Sequence, residues 1–119
     1  MMLGIYHFGR KKFDFAEYYL LKAIFTAQFA YSECYPEIIV MYMNLSTIYE
    51  AQRKFPDAIM SLFMAINIAL KVYGNNNLNT AIIYSALASL HYDIPDIDQA
   101  IKYQQKSISI LENILGKDD

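Results

Sequence analysis

Residues 42 apart along this chain match three times over: Leu3/Leu45/Leu87, Tyr6/Ile48/Leu90, His7/Tyr49/His91, Phe13/Phe55/Ile97, Ala16/Ala58/Ala100 and Ile24/Ile66/Ile108. Self-similarity at a period of this size marks a solenoid, in which each unit buries its apolar face only against its neighbours. Within a unit the apolar positions keep helical spacing, as in Tyr42, Leu45, Ser46 and Tyr49, then Ala58, Ile59, Leu62, Ala65, Ile66 and Ala69. Each unit is therefore read as two helices. The spacing predicts helices over 1–9, 14–31, 36–52, 56–73, 78–93 and 96–115. The breakers agree: Pro36, Pro56 and Pro95 fall at expected helix starts, where a missing N–H does least harm, and Gly74 and Gly116 follow long second helices. The fold class expected is all-α, a single-domain solenoid with units at 1–31, 32–73 and 74–115.

Composition bounds the function. The 119 residues are 55% hydrophobic, enough for one continuous core, and three units are about the minimum for a stable array. Formal net charge is −2, so no overall positive field favours nucleic acid or an anionic membrane. The dense basic cluster Arg10-Lys11-Lys12 is expected in the solvated turn between the first two helices rather than on RNA. Ala58 to Leu70 is an apolar run interrupted by Ser61 and Asn67, too short to span a bilayer and suited to a central buried helix, so no membrane insertion is expected. Cys34 is the single cysteine, and with no secretory signal pattern the expected setting is a reducing cytoplasm.

The sequence offers no catalytic constellation. His7 and His91 occupy the aromatic packing position of their helices, read as satisfied, half-buried side chains rather than ligands. There is no metal-ligand spacing, no activated-thiol signature and no glycine-rich phosphate loop. Asn44-Leu45-Ser46 matches the glycosylation sequon by chance, inside a helix. The expectation is a chain with no enzyme activity, no cofactor and no metal. Met1 falls inside the first helix by register, and Gly116 to Asp119 would open a fourth unit. The chain therefore reads as a piece of a longer protein, with open end faces that favour self-association.

The alternation of small and large residues resembles a tetratricopeptide repeat, a right-handed α-solenoid. The middle unit supplies Tyr42, Leu45, Ser46, Tyr49, Ala58, Leu62 and Ala65; the first supplies Leu3, Gly4, His7, Ala16, Leu20 and Ala23. The third keeps Tyr84, Leu87, Ala88, His91 and Ala100, while Gln104 and Ser107 replace the last two, which predicts a wetter final helix. Family repeats run to about 34 residues, so the added eight lengthen helices and junctions. The resemblance implies that the first helices of successive units line a concave groove that takes a peptide. By register its residues are Val40, Met43, Asn44, Thr47, Glu50 and Ala51, then Ile82, Ser85, Ala86, Ser89, Tyr92 and Asp93, with Met2, Ile5, Phe8 and Gly9 from the first helix. The groove lacks Lys and Arg, is apolar at one end and acidic at the other, and suits an apolar or basic peptide whose backbone Asn44 can meet with both donor and acceptor.

The 42-residue form narrows the resemblance. It is similar to kinesin light chains and, more closely, to the C-terminal repeats of the clustered-mitochondria (Clu) family, which is associated with eukaryotic translation initiation factor 3. The first junction, Cys34-Tyr35-Pro36-Glu37-Ile38, is close to the His-Pro-Glu-Ile type. The second, Gly74 to Ala81, carries Leu78 in the proline's place and Ala81 three residues on, as in the last Clu repeats, and Gly116-Lys117-Asp118 matches the closing Gly-x-Asp. Ser32 departs from the usual junction Gly, and Tyr35 from the usual His. The resemblance implies a cytoplasmic protein of mitochondrial distribution and translation initiation. It would bind messenger RNA through regions other than this one, with this segment as its protein-docking scaffold. A kinesin-light-chain-like cargo adaptor and a purely homo-oligomerising segment stand as alternatives.

Overall fold

The computed structural model describes the backbone of residues 2–116 and the side chains of residues 12–116. Five helices follow in order: α1 (Met2–Ala30), α2 (Glu37–Ala51), α3 (Phe55–Val72), α4 (Leu78–Asp93) and α5 (Ile97–Leu115), with no strand among the described residues. Each helix packs chiefly on its neighbours in the chain, α1 on α2, α2 on α3, α3 on α4 and α4 on α5. That is the nearest-neighbour logic of a solenoid, and the molecule extends 58 × 38 × 21 Å.

The helix ends follow from local chemistry. Pro36 precedes α2 with φ −58°, already helical, and Pro56 is the second residue of α3. Asn77 and Asp96 cap α4 and α5, their side chains accepting from the backbone N–H of Asn79 at 2.8 Å and of Gln99 at 3.4 Å. Gly74 (φ +82°) ends the α3 unit and Gly116 (φ +75°) the α5 unit in the left-handed conformation expected of them. Between α2 and α3 the same reversal falls on Arg53 at φ +60°.

The core runs along the array. Ala58, Ala65, Ala69 and Ala100 are fully buried, and their lack of side-chain bulk lets helix backbones approach. Ile38, Ile83, Leu87 and Leu90 fill the layers between them, each burial worth about 1.5–3 kcal/mol. The 18-residue α3, of hydropathy 1.5, is long and apolar enough to cross a membrane by length and composition alone; here it is the central helix, buried through seven of its side chains.

Three expectations need correction. Residues 1–9 and 14–31 were to be two helices; instead Met2–Ala30 is one, and Arg10-Lys11-Lys12 lies inside it rather than in a turn. The positions matching Pro56 and Pro95 are Asp14 and Lys11 in the first unit, so nothing there removes a backbone N–H. Gly9 alone costs a helix only about 1 kcal/mol. The final helix is wetter, as expected, with three buried side chains against seven in α3 and Gln104 exposed, but Ser107 does not contribute to this: it is buried, and its hydroxyl donates to the Ala81 carbonyl at 2.9 Å. His91 packs as an aromatic, stacked on Tyr103 at 5.4 Å between ring centroids, but its ring nitrogens have no hydrogen-bond partner, the nearest anion being Asp96 at 3.9 Å. His7 lies outside the described side chains.

A candidate peptide-binding groove

The first helices of the second and third units are α2 and α4, and each turns one stripe of its surface outward. On α2 the stripe is Val40, Met43, Asn44 and Thr47, ending at Glu50 and Ala51; Val40, Asn44, Thr47 and Ala51 are exposed, while Met43 and Glu50 are half-buried. On α4 it is Ile82, Ser85, Ser89 and Tyr92, all exposed, with Ala86 packed partly into the core and Asp93 at the end. Helical spacing explains the stripe, because Ile38, Ile39, Leu45 and Ser46 of α2, like Ile83, Leu87, Leu90 and His91 of α4, occupy the opposite face and are buried.

The stripe's polar groups differ in availability. The Thr47 hydroxyl donates to the Met43 carbonyl one turn back at 3.1 Å, so it keeps only acceptor capacity for a ligand. Asn44, Ser85 and Ser89 are exposed, make no side-chain hydrogen bond among the described residues, and offer donors and acceptors to an incoming backbone. Neither α2 nor α4 carries Lys or Arg.

At the closed end the two helices meet through like charges. The Asp93 carboxylate lies beside Glu50 and, with partial burial, raises the Glu50 pKa above the ordinary carboxylate value. This contact brings α2 and α4 together as adjacent walls and leaves an acidic corner suited to a cationic group.

The third wall expected from Met2, Ile5, Phe8 and Gly9 falls on residues whose side chains lie outside those described. Gln52 Nε2 lies 3.5 Å from Asp14 Oδ1 and Tyr49 donates to Glu17 Oε2 at 2.9 Å, so the Asp14–Glu17 turn of α1 is level with the C-terminal end of α2. Residues preceding Asp14 continue the same helix past that end.

Sequence reasoning missed a second surface. Tyr19, Ala23, Thr26 and Ala27 of α1, Tyr31 and Tyr35 of the junction and Met41 of α2 line an open cleft of about 580 Å³. Tyr31 and Tyr35 stack across its rim at 4.4 Å. Of these positions the sequence marked only Ala23, as a small packing residue, and Tyr35, as a junction residue.

A family model for the tetratricopeptide repeat matches residues 37–113, spanning α2 to α5. The chain belongs to the tetratricopeptide-repeat family. It is similar to proteins named Clustered mitochondria protein homolog from Aedes aegypti and from Culex quinquefasciatus, each 24% identical over 115 residues. The match covers 97% of this chain and 8% of each relative, so the tetratricopeptide array described here corresponds to a small part of their length. Among solved structures, BtubC (BKLC) from P. vanneervenii superposes with a TM-score of 0.80 at 22% identity, over 87% of this chain and 41% of that one. That likeness concerns the fold: the same helical array accommodates two quite different sequences.

Proposed function

We propose that this chain is a protein-docking module of a Clu-like protein, acting as a scaffold without enzyme activity. Its ligand is an extended or helical segment, apolar with a basic residue, held between α2 and α4. The observation that carries the reading is the cation-free stripe from Val40 and Ile82 to the carboxylates of Glu50 and Asp93. Apolar contact supplies affinity along the stripe, Asn44, Ser85 and Ser89 engage the ligand backbone, and the acidic corner fixes direction by taking up the positive group. The similarity to the mosquito proteins named Clustered mitochondria protein homolog supports the Clu-like reading, and the cytoplasmic setting, mitochondrial distribution and translation initiation that the family resemblance implies belong to the same proposal. Messenger RNA association then belongs to other parts of such a protein, since α2 and α4 offer phosphates no cation.

The test is recovery of partners from lysate, with and without nuclease, by the wild-type chain and by an Asn44→Ala, Thr47→Arg double variant. Initiation-factor or mitochondrial-surface proteins retained after nuclease and lost with the variant support the reading. Recovery of kinesin heavy chain or vesicle cargo supports the adaptor alternative, and equal recovery by both forms removes the groove from the mechanism.

A further inference from the structure

A pocket of about 480 Å³ lies between the α3–α4 junction, α4 and α5. Asn75 and Asn76 of the junction, Tyr84 of α4 and Lys102, Lys106 and Asn113 of α5 line it, and no carboxylate does. Its place in the repeat is not one that a neighbouring unit covers. One repeat earlier the same positions fall in the second unit, where α1 packs on α2 and α4 on α3. Met60, Met64 and Asn67 are nevertheless exposed there, as Lys102, Lys106 and Ser109 are here, and Ile68 is buried as Ile110 is. The hollow therefore belongs to the unit itself, and what differs between the two units is its charge. The second unit carries Glu33 and Lys71 at these positions, which cancel; the third has Asn75 and Asn113 in their place and two lysines where the second has Met60 and Met64.

Neither lysine is neutralised. Among the described residues no carboxylate lies within ion-pair distance of either, the one such pair being His91 with Asp96. Instead the Lys106 ammonium sits 5.4 Å from the centre of the Tyr84 ring and the Lys102 ammonium 5.9 Å from that of Tyr103. These two rings stack on each other at 6.1 Å and 17°, so one aromatic pair holds both charges in place. Asn113 Nδ2 donates to Asn76 Oδ1 at 3.3 Å, which takes up that oxygen and leaves the Asn76 amide NH2 to donate elsewhere. We propose that this pocket binds a phosphate monoester, with Lys102 and Lys106 matching its charge and the side-chain amides of Asn75 and Asn76 donating to its oxygens. At neutral pH such a group carries about −1.5 to −2, the charge that two lysines neutralise. A carboxylate, or one phosphate of a nucleic-acid backbone, carries a single charge and leaves a lysine unmatched. The pocket does not depend on what the α2–α4 groove binds.

The test uses the full 119-residue chain and residue-resolved NMR titration. Phenyl phosphate at millimolar concentration shifts the signals of Asn75, Asn76, Lys102 and Lys106 along one saturating curve, while Met60 and Met64, the same positions one repeat earlier, stay unmoved. Benzoate, of similar shape with a single charge, binds about tenfold more weakly or worse. A Lys102→Gln, Lys106→Gln double variant loses about tenfold or more in affinity for phenyl phosphate, with helical circular dichroism unchanged because both side chains are exposed. A peptide bearing one phosphoserine separates the two sources of the group: tighter binding than phenyl phosphate assigns it to a modified protein side chain, and equal or weaker binding to a free ester. Shifts as large at Lys54 and Lys71 as at Lys102 and Lys106 mean unspecific charge attraction and overturn the proposal. So do equal binding of benzoate, equal binding by a folded double variant, and tighter binding of a short single-stranded RNA than of phenyl phosphate. If the double variant fails to fold, the shift map and the benzoate comparison on the wild-type chain still decide the matter.

Discussion

Ile24, Ile66 and Ile108 occupy one register position, and by sequence they are equivalent. Their exposures are 4%, 5% and 45%. Ile66 is packed inside α3 between neighbouring helices, so Ile66→Ala removes three buried carbons and leaves a cavity; such truncations cost 2–5 kcal/mol, and about 3 is expected here. Ile108 stands on the outer flank of α5, where half of the side chain already meets water and the vacated space opens to solvent. At about 0.8 kcal/mol per buried carbon group, Ile108→Ala costs about 1 kcal/mol. With an unfolding entropy of about 2.1 cal/mol/K per residue over 119 residues, melting temperature falls by about 12 °C for Ile66→Ala and by about 4 °C for Ile108→Ala. Urea unfolding followed by helical circular dichroism, with thermal melts beside it, measures both. Equal losses from the two variants would refute the reasoning, because they would mean that Ile108 is covered as fully as Ile66.

Further outcomes follow from individual side chains. Tyr49 has its pKa pushed up to about 12, first by burial and then by the hydrogen bond to Glu17. Its proton is held more tightly folded than unfolded, so the stability it contributes is complete below pH 10 and is lost as pH rises toward 12; ultraviolet titration of wild type against Tyr49→Phe shows the missing late phase and a flatter alkaline stability curve. Glu50 is held above the ordinary carboxylate value by Asp93 and partial burial, so Glu50→Gln raises the urea midpoint at neutral pH, the gain vanishes as pH falls and Glu50 protonates, and affinity for a lysine-bearing apolar peptide drops in the same variant. Ser107→Ala makes the third unit match Ala23 and Ala65, yet costs about 1 kcal/mol in denaturant unfolding because it removes the donor to the Ala81 carbonyl.

The exposure of the α2 and α4 stripe was legible because a helix gives each position a fixed azimuth. Once Leu45 and Leu87 are taken as inward, Asn44, Ser85 and Ser89 face away, and the structure exposes all three. Contact between Glu50 and Asp93 was not legible, since two residues on separate helices come together only when α2 and α4 are set side by side. Ser107 misled for a related reason: a hydroxyl at an alanine position reads as hydration until a carbonyl on another helix is found within reach.

The sequence by itself determined the period, the helical character of both halves of each unit, the places of Ala58, Ala65 and Ala100, and the punctuation at Pro36, Pro56, Gly74 and Gly116. All of these are local properties of side-chain size and backbone freedom, repeated often enough to leave no competing pattern. Only the tertiary structure decided that α1 continues through Gly9, that Ile108 is exposed while Ile66 is buried, and that Tyr19 lines an open slot. Those outcomes depend on whether a neighbouring helix is present to cover a face, which no single stretch of sequence records.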